Sequence, residues 1–200
     1  MTAKRQTQPV PPPRERILAA AADLFEKQGI RGVGVEAIAE AADTNKMTLY
    51  RHFASKDELI AEWVRGIIAQ KEAGWEEIST KHPDDPQAQL ADWSRRVAAT
   101  LAEMDGRGSA LTNALAELPE RDHPARRVIE AHKVRQLKHV QQLCEQAGFQ
   151  DPALAANLFY LLLEGATSCV QCKGLKRIGE DLVELVDRMI ANTRNQQRRL

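Results

Sequence analysis

Two groups of residues in this 200-residue chain have types and spacing suited to chemistry, and they point in different directions. Residues 46–52 read KMTLYRH, where Lys46, Arg51 and His52 supply cationic or proton-donating heads and Thr48 and Tyr50 supply hydroxyls. Lysine and arginine neutralise phosphates, and hydroxyl, phenol and imidazole groups donate hydrogen bonds that fix register on a duplex. The second group is Cys169 and Cys172, a C-x-x-C in an apolar stretch, with Cys144 apart from it. A zinc site normally needs four ligands, and no second C-x-x-C or histidine pair follows at metal-ligand spacing, so no metal is expected. Residues three apart share a helix face. Such a pair can bind a soft ion such as Cu(I), oxidise, or react with an electrophile, but small buried thiols packing a helix interface are the plainer reading. The five histidines, His52, His82, His123, His132 and His139, are scattered over different predicted elements, and no glycine-rich phosphate loop or nucleophile with its base occurs. Neither an enzyme nor a cofactor is expected.

The cationic run needs a scaffold, and the surrounding sequence supplies one. From Val35 to Leu59 the chain reads VEAIAEAADTNKMTLYRHFASKDEL. Ile38, Ala39 and Ala42 recur at helical spacing, then Asp43, Thr44 and Asn45 interrupt with residues that cap and turn. A second short helix starts at Asn45. Leu49 and Phe53 share its buried face, which leaves Lys46, Met47, Thr48, Tyr50, Arg51 and His52 outward. A preceding helix over 14–28 carries Ile17, Ala21 and Leu24 on one stripe with Leu18 and Phe25 beside it, and Gly29 stops it. Ser55 caps a long helix whose first turn holds Asp57 and Glu58, where negative charge suits the helix dipole. Leu59, Trp63, Ile67 and Ile78 face inward until Pro83 and Pro86 break the pattern.

Five more helices are predicted, at 86–105, 108–118, 123–147, 152–173 and 178–196, with breaks at Gly106, Pro119, Gly148 and Gly174. The helix near Pro152 is apolar on more than one face, and the last carries a narrower stripe of Ile178, Leu182, Leu185 and Met189 flanked by Val186 and Ile190. Two such helices pairing with their copies across a two-fold axis would bury both stripes in a four-helix bundle. Burial of both within one subunit is the alternative. Residues 1–13, with Lys4, Arg5 and Pro11–Pro13, read as an extended basic arm, either loose or touching adjacent phosphates.

Composition agrees with an all-α protein. Hydrophobic residues make up 43% of the chain, enough for a substantial core, and no window alternates with period two. Charge is balanced overall at 28 basic and 28 acidic residues. Up to Lys56, however, nine basic residues face six acidic ones, so the surplus of three coincides with the helix-turn-helix pattern. No apolar run approaches a membrane span and the start lacks the apolar core of a secretory signal, so the cytoplasm is the expected location.

From Arg14 to Glu62 the chain resembles the DNA-binding domain of the tetracycline-repressor (TetR) family, through ERILAAAADLFEKQGIRG, VEAIAEAA and TLYRHFASKDEL. It departs from that pattern at Val33-Gly34, where threonine or serine is common, and at Asp43-Thr44-Asn45, where glycine-valine-serine is common. Aspartate visits the left-handed region more readily than most residues, so Asp43 suits the turn. The resemblance implies an all-α fold of about nine helices: a three-helix helix-turn-helix head over 14–60 and a helical effector-binding and dimerisation domain over 61–200. It implies DNA contacts from Lys46, Thr48, Tyr50, His52 and Lys56, with Met47 and Arg51 reading base edges and Glu36 near the groove. It implies a mostly apolar pocket, drawn from Trp75, Trp93, Val97, Leu101, Leu111, Leu115, Phe159 and Leu163. Asn113, Glu117 and His132 are the polar anchors expected there. Leu158, Leu162 and Cys169, with Leu182, Leu185 and Met189, are expected at a homodimer interface. The implied partners are an operator duplex, a second copy and a small-molecule effector, with no membrane. The implied function is a regulator, most simply a repressor that releases a palindromic operator on binding effector. The alternative trigger is a thiol or metal response through Cys169 and Cys172, and a purely structural helical adaptor would leave the cationic run unexplained.

Overall fold

The computed structural model describes residues 10–103, 106–172, 175 and 177–197. Within them the chain forms nine α-helices and no strand: α1 (Pro13–Gln28), α2 (Val35–Ala41), α3 (Lys46–His52), α4 (Lys56–Lys81), α5 (Pro86–Glu103), α6 (Ala110–Glu117), α7 (Pro124–Gln146), α8 (Pro152–Cys169) and α9 (Ile178–Gln197). Most of the expected basic arm, including Lys4 and Arg5, lies outside the described residues, as does the break at Gly174.

Local chemistry sets the ends of these helices. The α1 helix stops at Gly29, whose φ of 77° is a left-handed value that favours glycine and whose N–H still donates to the Phe25 carbonyl at 3.0 Å. Between α2 and α3, Asp43 adopts a φ of 49°, the left-handed geometry expected of it. Asn45 and Ser55 then cap α3 and α4, accepting from the Thr48 N–H at 2.9 Å and the Glu58 N–H at 3.1 Å. Pro124 and Pro152 open α7 and α8, where a missing N–H costs nothing.

Two hydrophobic cores result. The first packs Ile17, Phe25, Ile38, Leu49, Leu59 and Trp63 together, and it continues into Leu111 and Ala114 of α6 and Ile129 of α7. The head therefore shares its core with helices beyond residue 60. The second core joins Ile78, Trp93, Val140, Phe159, Leu182, Val186 and Ile190.

Three expectations change here. On α9 the buried stripe is Leu182, Val186 and Ile190, packed within the subunit against α5, while Leu185 stands 45% exposed. Leu182, at 2% exposure, is thus an internal core residue and not an interface residue. Leu162 and Met189 also pack in part against this core. The α8 helix ends at Cys169, so Cys172 lies in the following turn, its N–H donating to the Cys169 carbonyl at 2.9 Å. Cys169 is half-buried and Cys172 exposed, so they neither share a helix face nor form a buried thiol pair; Cys144 is the buried thiol. Among the described residues no helix is long and apolar enough to cross a membrane.

Leu49 is fully enclosed in the first core, so Leu49→Ala is expected to lower stability by about 2–5 kcal/mol in chemical denaturation followed by circular dichroism. Leu182→Ala is expected to cost a comparable ~2–5 kcal/mol, which a surface or purely intersubunit position would not.

Candidate nucleic-acid interface and cavity

Helix α3 buries Leu49 and turns the rest of its surface outward. Lys46, Met47, Tyr50, Arg51 and His52 are exposed and Thr48 is half-buried. Met47 is 79% exposed, a large apolar side chain that none of the described residues covers. Lys46 is less free than the sequence suggests. Its ammonium contacts Glu36 of α2 at 2.6 Å and lies 6.0 Å from the centre of the Tyr50 ring. The hydrogen bond between them holds the Glu36 carboxyl below its usual range and raises the Lys46 pKa, so both stay charged. Glu36 is therefore an ion-pair partner, where the sequence suggested a solvated or groove-facing carboxylate.

Helix α1 fixes the placement of this face. Arg16 donates to the Asp43 carbonyl at 3.2 Å, which holds the turn before α3. Arg14 stands over the Phe53 ring at 5.2 Å and bonds Glu62 at 2.6 Å, which ties the end of α3 to α4. These arginines carry no sequence motif of their own. Lys56 differs from expectation: its ammonium turns back to the Ile30 carbonyl at 2.8 Å, and burial pushes its pKa down. It is the one expected DNA-contact lysine committed to the inside of the head.

Among α4, α5, α7 and α8, with the start of α6 at one side, lies a cavity of about 420 Å³. Of the residues expected to line a pocket, Trp75, Trp93, Val97, Leu101, Leu111, Leu163 and His132 do so. Trp75 and Trp93 form a tilted aromatic wall, with centroids 4.8 Å apart. Four others go elsewhere. Phe159 is sealed in the second core against Phe149, and Leu115 packs on the first core. Asn113 donates to the Arg107 carbonyl at 2.7 Å, and Glu117 faces the head. The polar lining that sequence reasoning missed is Lys71, Lys133, Tyr160 and Glu164. Lys133 bonds Glu164 at 2.6 Å and Tyr160 at 3.3 Å; burial and Glu164 together raise the Tyr160 pKa, so the phenol stays protonated. Lys133 and Glu164 belong to different helices, so no spacing rule connects them.

The cavity and the head meet at α6. Its first turn, Ala110 and Leu111, lines the cavity, and Glu117 at its end grips the head. The Glu117 carboxylate accepts the Arg31 N–H and its carbonyl accepts the Arg31 Nε–H, both at 2.9 Å. Gly29 makes the approach possible, because a Cβ there would sit 2.9 Å from that carboxylate. Neither Cys169 nor Cys172 lines the cavity. Among the described residues no three His, Cys, Asp or Glu side chains gather as a metal-holding group.

Residues 17–63 match the family model of the bacterial regulatory proteins, tetR family. The HTH-type transcriptional repressor KstR2 of Mycobacterium tuberculosis is 38% identical over 72 residues, 35% of this chain and 36% of that one. The chain thus spans only about a third of the length of the first curated relatives it matches. The HTH-type transcriptional repressor SCO4008 of Streptomyces coelicolor is 28% identical over 168 residues, 82% of each chain. Among solved structures, SCO4454, a TetR-family transcriptional regulator from Streptomyces coelicolor, superposes with a TM-score of 0.84 at 28% identity, over 90% of this chain and 95% of that one. The head thus matches the TetR-family pattern over residues 17–63, and the nine-helix architecture matches that of a TetR-family regulator over nearly its whole length.

Proposed function

We propose that this chain is a DNA-binding transcriptional regulator that acts as a homodimer in the cytoplasm, most simply a repressor that releases a palindromic operator when a small molecule fills the α4–α8 cavity. The observation that carries the reading is the exposed face of α3, held by Arg14, Arg16 and the Asn45 cap and presenting Lys46, Met47, Thr48, Tyr50, Arg51 and His52 together. A rigid helix of this composition can enter a major groove, with its cations on phosphates and Met47 against thymine methyls or base edges. Lys56 contributes only by leaving the Ile30 carbonyl. The relatives' descriptions as repressors support the same reading.

A second copy supplies the symmetry a palindrome requires. Helix α8 leaves Leu154, Leu158 and Leu161 exposed along one face, and Leu185 of α9 is exposed beside its buried stripe. Covering that face with its copy would set two α3 helices on one side of a duplex, with half-sites roughly 34–36 Å apart or a multiple of that. Effector control follows if the ligand binds better to the conformation whose heads no longer match that spacing, since a ligand shifts an equilibrium only by its differential affinity. Helix α6, touching cavity and head at its two ends, is the proposed lever.

Fluorescence anisotropy with duplexes from upstream of the protein's own gene tests the reading. Wild type is expected to bind one fragment with steep salt dependence, and Lys46→Ala with Tyr50→Ala to abolish that preference and to flatten the log-log salt slope by about one for the lost phosphate contact. Equal binding of all fragments by both proteins would remove sequence reading by α3. Leu158→Glu with Leu185→Glu is expected to yield monomers in analytical ultracentrifugation; a dimer that survives places the interface elsewhere. Glu117→Ala, which frees the head from α6, is expected to bind operator but to lose most of an effector response of the usual ~5–150-fold size. An undiminished response would exclude α6 as the lever.

A further inference from the structure

One end of the cavity is chemically uneven in a way that specifies what fits it. Lys133 is committed to Glu164 and Tyr160, and Arg96 to Glu77 at 2.7 Å. Lys71 is committed to nothing: among the described residues its ammonium has no hydrogen-bond or ion-pair partner. Its side chain lies open to the cavity while the surrounding protein desolvates it and pushes its pKa down; Glu164 opposes that shift and Lys133 adds to it. The side chain is exposed where it borders the cavity, so a bound anion can pair with it without breaking an existing ion pair. Glu26, the other uncommitted charge on the lining, belongs to α1 at the head side and is not among the charges that bear on Lys71.

His132 supplies a second, independent feature. It is 4% exposed, lines the same cavity, and its Nε2 is buried with no hydrogen-bond partner. Buried polar atoms are normally paired, and because this Nε2 is closed off in the cavity wall, a ligand hydroxyl reaches it once the lining gives way to the ligand. Its Nδ1 faces the Glu72 carboxylate at 3.7 Å. Desolvation keeps the ring neutral, and the carboxylate draws the ring proton to Nδ1, which leaves Nε2 as an acceptor. Lys71 is close enough to His132 to bear on its charge, so the two groups serve one end of the cavity. Away from them the lining includes Trp75, Ile78, Trp93, Val97 and Leu101, an apolar wall built on two indoles tilted against each other.

We infer that the ligand of this cavity is a flat aromatic acid bearing a hydroxyl group: its carboxylate on Lys71, its hydroxyl donating to His132 Nε2, and its rings against Trp75 and Trp93. The inference rests on the cavity being the effector site proposed above, and it adds the chemical class. A volume of about 420 Å³ is in the usual ~300–1,000 Å³ range of small-molecule sites.

Isothermal titration calorimetry of the full chain with 6-hydroxy-2-naphthoic acid, its primary amide and its 6-methoxy ether tests it without DNA. The acid is expected to bind at least tenfold more tightly than the amide and several-fold more tightly than the ether. Lys71→Met is expected to erase the preference for acid over amide, and Lys71→Arg to keep it. Equal binding of acid and amide by wild type, a preference that survives Lys71→Met, or no binding of any of the three would each overturn the inference; the wild-type comparison decides even if Lys71→Met folds poorly. Operator release is measured in parallel with the same compounds. Lys71-dependent binding of the acid with the operator still held would uphold the ligand class and overturn the effector reading. Release by the neutral amide as readily as by the acid would do the reverse.

Discussion

Helix α4 is buried at both ends in different company, and most of the molecule's behaviour depends on that. Its early turns place Leu59 and Trp63 in the core of the head, and its late turns place Ile78 in the second core, beside Trp75 on the cavity wall. A helix of 26 residues is roughly 39 Å long and resists bending, so a displacement at the cavity end cannot be absorbed locally. Extension of the first core into α6 and α7 adds a second connection near the head. Because both cores are close-packed, the head and the cavity region can exchange between discrete arrangements more readily than they can deform.

Exposed chemistry on α3 is useful only if the helix stays where it is put, and seven residues cannot hold themselves in helical form in water. The sequence meets this with interactions from outside the helix: an Asn45 cap, Leu49 sealed beneath, Arg16 on the turn and Arg14 on Phe53. The Glu36–Lys46 pair belongs to the same scheme. Both side chains are largely exposed, so the pair adds little stability, but it parks the Lys46 ammonium at the surface, where a phosphate can compete for it.

The head was legible because its signals are local. Gly29, Asp43, Asn45 and Ser55 announce their conformations by residue type, and proline marks the starts of α5, α7 and α8, so the expected helix boundaries fall within a few residues of the observed ones. What failed were statements about which side of a helix faces what. On α9 the apolar stripe is wide enough to include both Leu182-Val186-Ile190 and Leu182-Leu185-Met189, and only packing against α5 decides between them. The cavity was half legible: the family resemblance implies a mostly apolar pocket and most of the apolar residues expected there line it, but Lys71, Lys133 and Glu164 meet across three helices, a relation that no window of sequence contains. Asn113, Glu117 and Phe159 have the right chemistry for a pocket and point to a loop carbonyl, the head and the core instead. The C-x-x-C spacing does not place both thiols on one helix face, because α8 ends at Cys169, one turn sooner than apolar content suggests.

The central claim is that two copies of α3 read one duplex. Selection from a random double-stranded DNA pool with the full chain, followed by sequencing of the retained molecules, tests it most directly. An inverted repeat with half-sites one or two helical turns apart is the expected product. Recovery of no enriched sequence, or of a single unrepeated site, would contradict it.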